Sequence, residues 1–437
     1  MQEGREGEAD STSSTDTNVI IKATAKNNKR NDKNDISHET IFNMAAGLWV
    51  SKTLTTALEL EVFSKLSGNK SVTLNELQKL LEMESRPTEA LATALVSLRL
   101  LRLSTSETGE RIYSNTRLSE TFLDISKLSS YVGDIATIFD KRFYKNWENL
   151  IGCLSSNKPV DEFVSIGERR KRKSSSPSSK KGGGLVGDIN PISEFNAKTI
   201  EQIKTFAHGM YDINVGPASS LTKLFDFSKY SKLMDIGGFS AGVYALQAVK
   251  AYPNLSADII LTLEPVAELA NGYIKQFNLE NKVNTKVFDI FEEERFTARE
   301  AEEMKGQGIK ESNNGYDVAI VSNVLRRNNE EKNKLLLKRI YNNLIPDKID
   351  KINKNNKKNS SVGTSAIIIS EWLLNDQKTG PISSALMNLN MVIESPEGRT
   401  YSFAEVSNML RSVGFVNIQK IEARGHTDFV VGYKKQG

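Results

Sequence analysis

The chain has 437 residues and one cysteine, Cys153, so it can hold two domains but no internal disulfide framework and no multi-cysteine metal site. Its first 36 residues are polar and lack the apolar core of a signal peptide, and no apolar run is long enough to cross a bilayer. The net charge of +4 is concentrated in segments 164–190 and 346–364, which carry +5 and +3, so the remainder is slightly acidic. This distribution argues against nucleic acid or a membrane as partner, and the single cysteine suits the cytoplasm.

Residues 37–163 have the pattern of a mainly helical, winged-helix-like domain. Thr73 and Glu76 form the capping-box pattern that starts a short helix, and a second helical pattern follows it. The runs 101–103 and 111–113 then flank a turn and predict a hairpin wing. A DNA-binding winged helix needs a basic second helix, which this sequence does not offer. We therefore favour a dimerisation module and keep a DNA-binding regulator as a less favoured alternative.

Three segments lack the apolar residues needed for a packed core. Residues 1–36 are predicted to be a disordered tail, and residues 164–190 and 346–364 are predicted to be disordered polar insertions. The second insertion interrupts the region 191–437, which holds the other predicted domain.

From residue 191 onward, short apolar runs alternate with helical patterns. This alternation predicts a mostly parallel, doubly wound α/β sheet that binds ligands at the carboxyl ends of its strands. The predicted strands are 233–236, 259–263, 283–288, 316–321, 366–370, 416–422 and 428–433.

The first of these strands ends in a turn that predicts a nucleotide site. Gly237 and Gly238 allow a sharp bend and a close approach of ligand to backbone, and a helical pattern follows them. The turn differs from the dinucleotide fingerprint because Asp235 precedes the glycines. A carboxylate here repels phosphate but suits a cationic ligand. S-adenosyl-L-methionine, which carries a sulfonium, therefore fits better than a dinucleotide.

Acidic residues also follow the next two predicted strands. Glu264 is placed to accept hydrogen bonds from ribose hydroxyls, as an acidic residue at the tip of a second strand does. Asp289 follows the third strand and could contact the adenine amino group. Ile290 and Phe291, which come next, could stack on the base. The sequence therefore predicts cofactor contacts at three neighbouring strand ends.

Taken together, these features resemble the small-molecule O-methyltransferases of the caffeate, acetylserotonin and polyketide type. The resemblance runs from about residue 37 to residue 435, apart from the two insertions. It implies a Rossmann-like S-adenosylmethionine methyltransferase domain and a homodimer in which one subunit's N-terminal helix helps to close its partner's pocket. It also implies substrate contacts at Met210, Met387, Asn388 and Met391. The segments that carry it are 47–63, 113–116, 206–210, 235–238, 289–291, 387–391 and 398–399.

One departure from the family pattern bears on mechanism. Many members carry His-Asp-Trp after the fourth strand, with the histidine as general base, whereas Arg326 stands at that position here. Arginine stays protonated and cannot accept the substrate's proton. His208 is the remaining candidate base, and Arg326 could instead hold an anionic substrate. Methyl transfer to a well-aligned nucleophile does not strictly require a base.

The sequence therefore predicts a cytoplasmic, homodimeric, S-adenosylmethionine-dependent enzyme that methylates a small molecule, with a phenol or quinol hydroxyl as acceptor. It predicts no metal site. The alternative is a catalytically inactive relative that works as a binding or regulatory dimer.

Overall fold

The structure, a computed structural model, describes residues 38–127, 130–160, 197–291, 315–345, 365–423 and 425–435. The predicted tail and both predicted insertions lie outside these residues. Contacts divide the chain into two compact units, the first ending at Ser130 and the second beginning at Tyr131. The sequence predicts a domain boundary at residue 163 instead. The short helices before that point group with the second unit because they pack on its helices.

The first unit is mainly helical and contains one small antiparallel sheet. Thr73 caps a helix as predicted, because the Glu76 N–H donates to its hydroxyl at 3.2 Å and its own N–H donates to the Glu76 carboxylate at 2.8 Å. The strands Leu101–Thr105 and Arg111–Asn115 confirm the predicted hairpin, and a third short strand, Ser71–Thr73, pairs with the second of them. The elements are α1 (His38–Ala45), α2 (Gly47–Glu59), α3 (Val62–Lys65), β1 (Ser71–Thr73), α4 (Leu74–Leu81), α5 (Ser85–Ser97), β2 (Leu101–Thr105), β3 (Arg111–Asn115) and α6 (Arg117–Phe122).

The second unit begins with short helices and continues as a long helix followed by an α/β sheet. The helices are α7 (Asp134–Ile138), a π-helix (Phe139–Phe143), α8 (Tyr144–Trp147), α9 (Leu150–Ser156), α10 (Ala197–Leu224), α11 (Val243–Ala251), α12 (Glu264–Gln276), α13 (Glu330–Asn343), α14 (Ile382–Glu394) and α15 (Phe403–Val413). The strands are β4 (Lys232–Ile236), β5 (Ser256–Leu261), β6 (Val283–Val287), β7 (Val318–Ser322), β8 (Ala366–Glu371), β9 (Phe415–Ile421) and β10 (Asp428–Lys434).

The seven strands form one sheet in the order β6-β5-β4-β7-β8-β10-β9. The first five strands along the chain run parallel, and β10 is antiparallel to both of its neighbours. This arrangement confirms the predicted mostly parallel sheet. The fourth strand starts later than predicted because Tyr316 forms an isolated bridge with Leu344 instead of joining the ladder.

Alternate side chains of the central strands enter two separate cores. Val318 and Ile320 pack into the core under α10, α11 and α12, while Ala319 and Val321 pack into the core under α13 and α15. A parallel sheet covered on both faces needs apolar residues on both faces. This requirement explains why its strands appear in the sequence as continuous apolar runs.

The strand order reverses between β4 and β7, which are neighbours in the sheet although they are the first and fourth strands of this unit. Connections on the two sides of such a switch point leave in opposite directions and open a crevice at the carboxyl ends of the strands. Within the described residues, no helix combines the length and the apolar character needed to cross a bilayer.

Helix α13 offers a matched test of this packing. Leu337 is fully buried beneath the sheet, while Leu335 on the same helix is 46% exposed. We expect Leu337→Ala to lower the free energy of unfolding by about 2–5 kcal/mol through lost burial and a residual cavity. Leu335→Ala should cost far less, because the exposed side chain loses little packing. Chemical denaturation measures both, and equal losses would contradict this orientation of the helix.

Candidate active site

A cavity of about 220 Å³ lies at the carboxyl ends of the strands, next to the switch point between β4 and β7. Its lining has three parts: residues that follow the strand ends, an apolar wall and a polar group. The strand-end part is Ile236, Gly237, Gly238, Ile260, Thr262, Ile290, Phe291 and Val324. The apolar wall is Phe139, Phe143, Phe206, Met210, Ile213, Phe239, Trp372, Met387 and Met391. The polar group is Asn323, Arg326, Arg327, Asn328, Asn390 and Glu394.

The turn between β4 and α11 brings backbone to the cavity, as predicted. Gly238 has a φ of +51°, a conformation that side chains disfavour. A Cβ on Gly237 would lie 2.3 Å from the Ser240 hydroxyl, so no larger residue fits there without a shift. The backbone is therefore exposed to whatever binds next to this turn.

Asp235 lies beneath this turn and is fully buried. One carboxylate oxygen accepts the Ala245 N–H at 2.9 Å, and the other has no hydrogen-bond partner among the described residues. Burial raises the pKa of Asp235 to about 7, and the Ala245 N–H partly offsets this. A nearby positive charge would stabilise the ionised carboxylate. The turn and its unpaired carboxylate oxygen thus fit a ligand that carries a sulfonium and an ammonium group.

None of the three predicted acidic ligands is among the residues that line the cavity. Glu264 is the first residue of α12 and is half-buried, whereas Thr262 of the same connection lines the cavity. Asp289 accepts the N–H of Phe291 at 2.9 Å and so holds the turn that presents Ile290 and Phe291 to the cavity. Direct ribose and adenine contacts by Glu264 and Asp289 stay predictions.

Arg326 reaches the cavity but already has partners. It follows β7 in a short 3₁₀ helix and is 6% exposed. Its guanidinium donates to a Glu371 carboxylate oxygen at 3.1 Å and also to the Asn323 side-chain oxygen. The backbone N–H of Arg326 donates to the other Glu371 carboxylate oxygen at 3.3 Å. Burial lowers the pKa of Arg326 and the Glu371 charge counters this, so the guanidinium stays protonated.

A buried network supports Asn323 from behind. Its amide donates to the Asn214 oxygen at 2.7 Å, and the Tyr244 hydroxyl donates to the same oxygen at 3.2 Å. The Tyr244 hydroxyl also pairs with the Ser370 hydroxyl at 2.6 Å. Neither these residues nor Glu371 were predicted from the sequence. For Asn323, Ser370 and Glu371, the position at the end of β7 or β8 was the available signal, since neighbouring parallel strands end at one edge. Asn214 lies on α10 and Tyr244 on α11.

Neither described histidine of this unit lines the cavity. His208 is hydrogen-bonded through Nδ1 to the Tyr273 hydroxyl at 2.9 Å. His426 packs on Trp372 with ring centroids 4.2 Å apart. Burial, aided by the charge of Arg326, lowers the pKa of His426 to about 4, so this ring is neutral at ordinary pH. In the first unit, His38 begins α1.

The predicted substrate contacts divide into two groups. Met210, Met387 and Met391 line the cavity, whereas Asn388 accepts the Thr400 N–H at 2.8 Å and does not line it. Asn390 lines the cavity instead and accepts the Trp147 indole N–H at 2.8 Å. Among the described residues, no group of three or more His, Cys, Asp or Glu could hold a metal ion.

The raised pKa of Asp235 gives a testable pH dependence. The folded chain holds this proton up to about pH 7, whereas the unfolded chain releases it near the ordinary pKa of 3.8. Raising the pH through this window therefore favours the unfolded chain. In Asp235→Asn the group cannot titrate, so the variant should gain stability relative to wild type as the pH rises. Urea denaturation across the window measures this, and parallel pH profiles would contradict it.

Comparisons with known proteins agree with this geometry. The O-methyltransferase dimerisation domain model matches residues 42–124, and the O-methyltransferase domain model matches residues 189–416, more than half of the chain. The 3-hydroxy-5-methyl-1-naphthoate 3-O-methyltransferase of Streptomyces sahachiroi is 24% identical over 90% of this chain and 94% of its own length. The acetylserotonin O-methyltransferase of Gallus gallus is 25% identical over 91% and 97%.

A solved structure shares the fold. The crystal structure of human N-acetylserotonin methyltransferase in complex with SAM aligns with a TM-score of 0.68 at 20% identity, covering 93% of this chain and all of that one. On the two matched domains, the chain belongs to the O-methyltransferase family and is an S-adenosylmethionine-dependent methyltransferase of small molecules.

Proposed function

We propose that the enzyme methylates a hydroxyl of a planar aromatic molecule, and that this hydroxyl reacts in its ionised form. The cavity lining carries this proposal, because aromatic rings and methionine side chains stand beside the guanidinium groups of Arg326 and Arg327. Flat apolar walls favour a flat apolar ligand. The relative named as a 3-O-methyltransferase of a hydroxynaphthoate supports an aromatic hydroxyl as the acceptor.

The residues around the glycine turn would hold the cofactor. Gly237 and Gly238 offer exposed backbone, Asp235 offers a carboxylate beneath it, and Ile290 and Phe291 offer apolar contact. When bound, S-adenosylmethionine supplies a methyl group already activated by its sulfonium. The remaining task of the protein is to exclude water and to align the acceptor oxygen with that methyl group.

The charges around the cavity favour an ionised acceptor. Arg327 lies 3.8 Å from Glu394, and this carboxylate also pairs with Arg142 at 3.2 Å. Glu371 pairs with Arg326 at 3.1 Å. A hydroxyl that binds next to the guanidiniums of Arg326 and Arg327 has a lowered pKa, because nearby positive charge stabilises its anion. Deprotonation then needs no histidine in the cavity.

Acceptor ionisation can be read from a pH–rate profile. With 4-nitrophenol and the less acidic 1-naphthol as acceptors, we expect kcat/KM to rise with pH. The pH at the midpoint of this rise should follow the pKa of the acceptor hydroxyl. His208→Ala and His426→Ala should keep these midpoints, whereas Arg326→Ala should raise KM strongly. A midpoint at about pH 6.5 that is the same for both acceptors and disappears in His208→Ala would instead identify a histidine base.

Two further outcomes bear on the proposal. If S-adenosylmethionine binds but no phenol, quinol or naphthol is methylated, the result favours the alternative, a catalytically inactive binding or regulatory dimer. If amines react and hydroxyls do not, the fold and cofactor stand but the acceptor atom changes.

We also propose that the enzyme is a homodimer in the cytoplasm. Helix α2 and the second half of α1 lie within the segment matched by the dimerisation domain, and the two helices expose a set of large apolar side chains. Water contact with so many apolar groups on one helical segment is unfavourable, so a second copy is the expected cover. The set is Ile41, Phe42, Met44, Leu48 and Trp49.

Sedimentation tests this assembly. Trp49 is 65% exposed in the single chain, so Trp49→Glu should leave the chain folded but convert a dimer to a monomer. Leu335→Glu is the control, because this exposed side chain of α13 lies outside the matched dimerisation segment. A wild-type protein that sediments as a monomer at micromolar concentration would contradict the homodimer.

A further inference from the structure

Five residues around the cavity contact one another in a closed circle. The rings of Phe206 and Phe239 meet edge to face at 4.9 Å. The Arg142 guanidinium lies 4.7 Å above Phe206, and the Arg327 guanidinium lies 5.9 Å from the centre of Phe239. Glu394 closes the circle by pairing with Arg142 at 3.2 Å and with Arg327 at 3.8 Å.

Phe239 differs from the other members in where its backbone lies. Phe206 is on α10, Arg142 is in the π-helix, Glu394 ends α14 and Arg327 ends a 3₁₀ helix. Phe239, in contrast, follows Gly238 directly in the turn that presents backbone to the cofactor. Its side chain belongs to the apolar wall of the cavity, while its backbone belongs to the glycine turn.

The packing of Phe239 ties these two regions together. Its ring packs against the core under α10, α11 and α12. It also packs against a small cluster formed by Ile138, Phe143, Phe206 and Met210, most of which lines the cavity. Rotating the ring away would break aromatic, cation–π and core contacts at once. A shift of the backbone of the glycine turn is therefore transmitted to the apolar wall.

We propose that Phe239 limits the size of the acceptor and couples acceptor binding to cofactor binding. The inference rests on the proposed aromatic acceptor, and it adds the residue that selects among such acceptors. The Phe239 ring fills cavity space that a further fused ring of the acceptor would need. Because its backbone follows the cofactor turn, a cofactor that fixes the turn also fixes the ring against which the acceptor packs.

Equilibrium binding tests both parts without turnover. Fluorescence titration gives the affinities for 2-naphthol, with two fused rings, and 2-hydroxyanthracene, with three, in the presence and absence of saturating S-adenosylhomocysteine. In wild type we expect the two-ring probe to bind better, and S-adenosylhomocysteine to strengthen its binding by about fivefold or more. Phe239→Ala should shift the affinity ratio toward the three-ring probe by about tenfold or more and should abolish the strengthening.

Two further variants make this result specific. Phe239→Leu retains apolar packing if the alanine variant folds poorly, and it should shift the ratio in the same direction by a smaller factor. Phe139→Ala is the matched control, because Phe139 also lines the cavity but stands in the π-helix, away from the turn. It should weaken both probes alike and keep the strengthening by S-adenosylhomocysteine.

The outcomes separate this inference from the proposed function. An unchanged ratio together with an unchanged cofactor effect in a folded Phe239 variant overturns the inference and leaves aromatic O-methylation standing. The predicted binding changes without any methyl transfer to 2-naphthol support the inference and overturn the proposed chemistry. A wild-type protein that binds S-adenosylhomocysteine but neither probe overturns both.

Discussion

The buried ion pair between Arg326 and Glu371 is the constraint on which the cavity depends. Removing two charges from water costs several kcal/mol for each ion, and only good geometry with further hydrogen bonds offsets that cost. Here the Glu371 oxygens accept both the guanidinium and the backbone N–H of Arg326, and Asn323 accepts a further guanidinium N–H. The pair joins the ends of β7 and β8. It therefore positions Arg326 and Asn323, which line the cavity, and the Asn214–Tyr244–Ser370 network holds Asn323 through a further hydrogen bond.

A guanidinium at this position changes how the reaction is divided between protein and substrate. A histidine would take the acceptor's proton, whereas arginine can only stabilise the anion that remains. In the proposed mechanism, the reaction therefore depends on the acidity of the acceptor and on its alignment with an activated methyl group. The rest of the lining suits that role, because it holds a second guanidinium, that of Arg327, which pairs with Glu394.

The switch point of the sheet explains why the glycine turn and Arg326 both reach the same cavity. The glycine turn follows β4 and Arg326 follows β7, and these strands are neighbours with their carboxyl ends at one edge. Residues from a single turn can then serve both ligands. Phe239 has its side chain in the apolar wall and its backbone in the glycine turn. For this reason we propose that it links acceptor size to cofactor binding.

Sequence patterns were enough to predict the main elements, the mostly parallel sheet, the Asp235–Gly238 turn and the family. These features follow from apolar periodicity, glycine conformation and short-range spacing, which are local properties of a chain. The sequence also placed Arg326 at the site but could not show its partner. Glu371 is 45 positions away, and the contact exists only because β8 lies beside β7. His208 was a candidate base on sequence grounds, and the fold instead pairs it with Tyr273, 65 positions away. Tertiary structure alone decided these pairings, because strand order and helix rotation set which side chains share a cavity, and neither can be read from neighbouring residues.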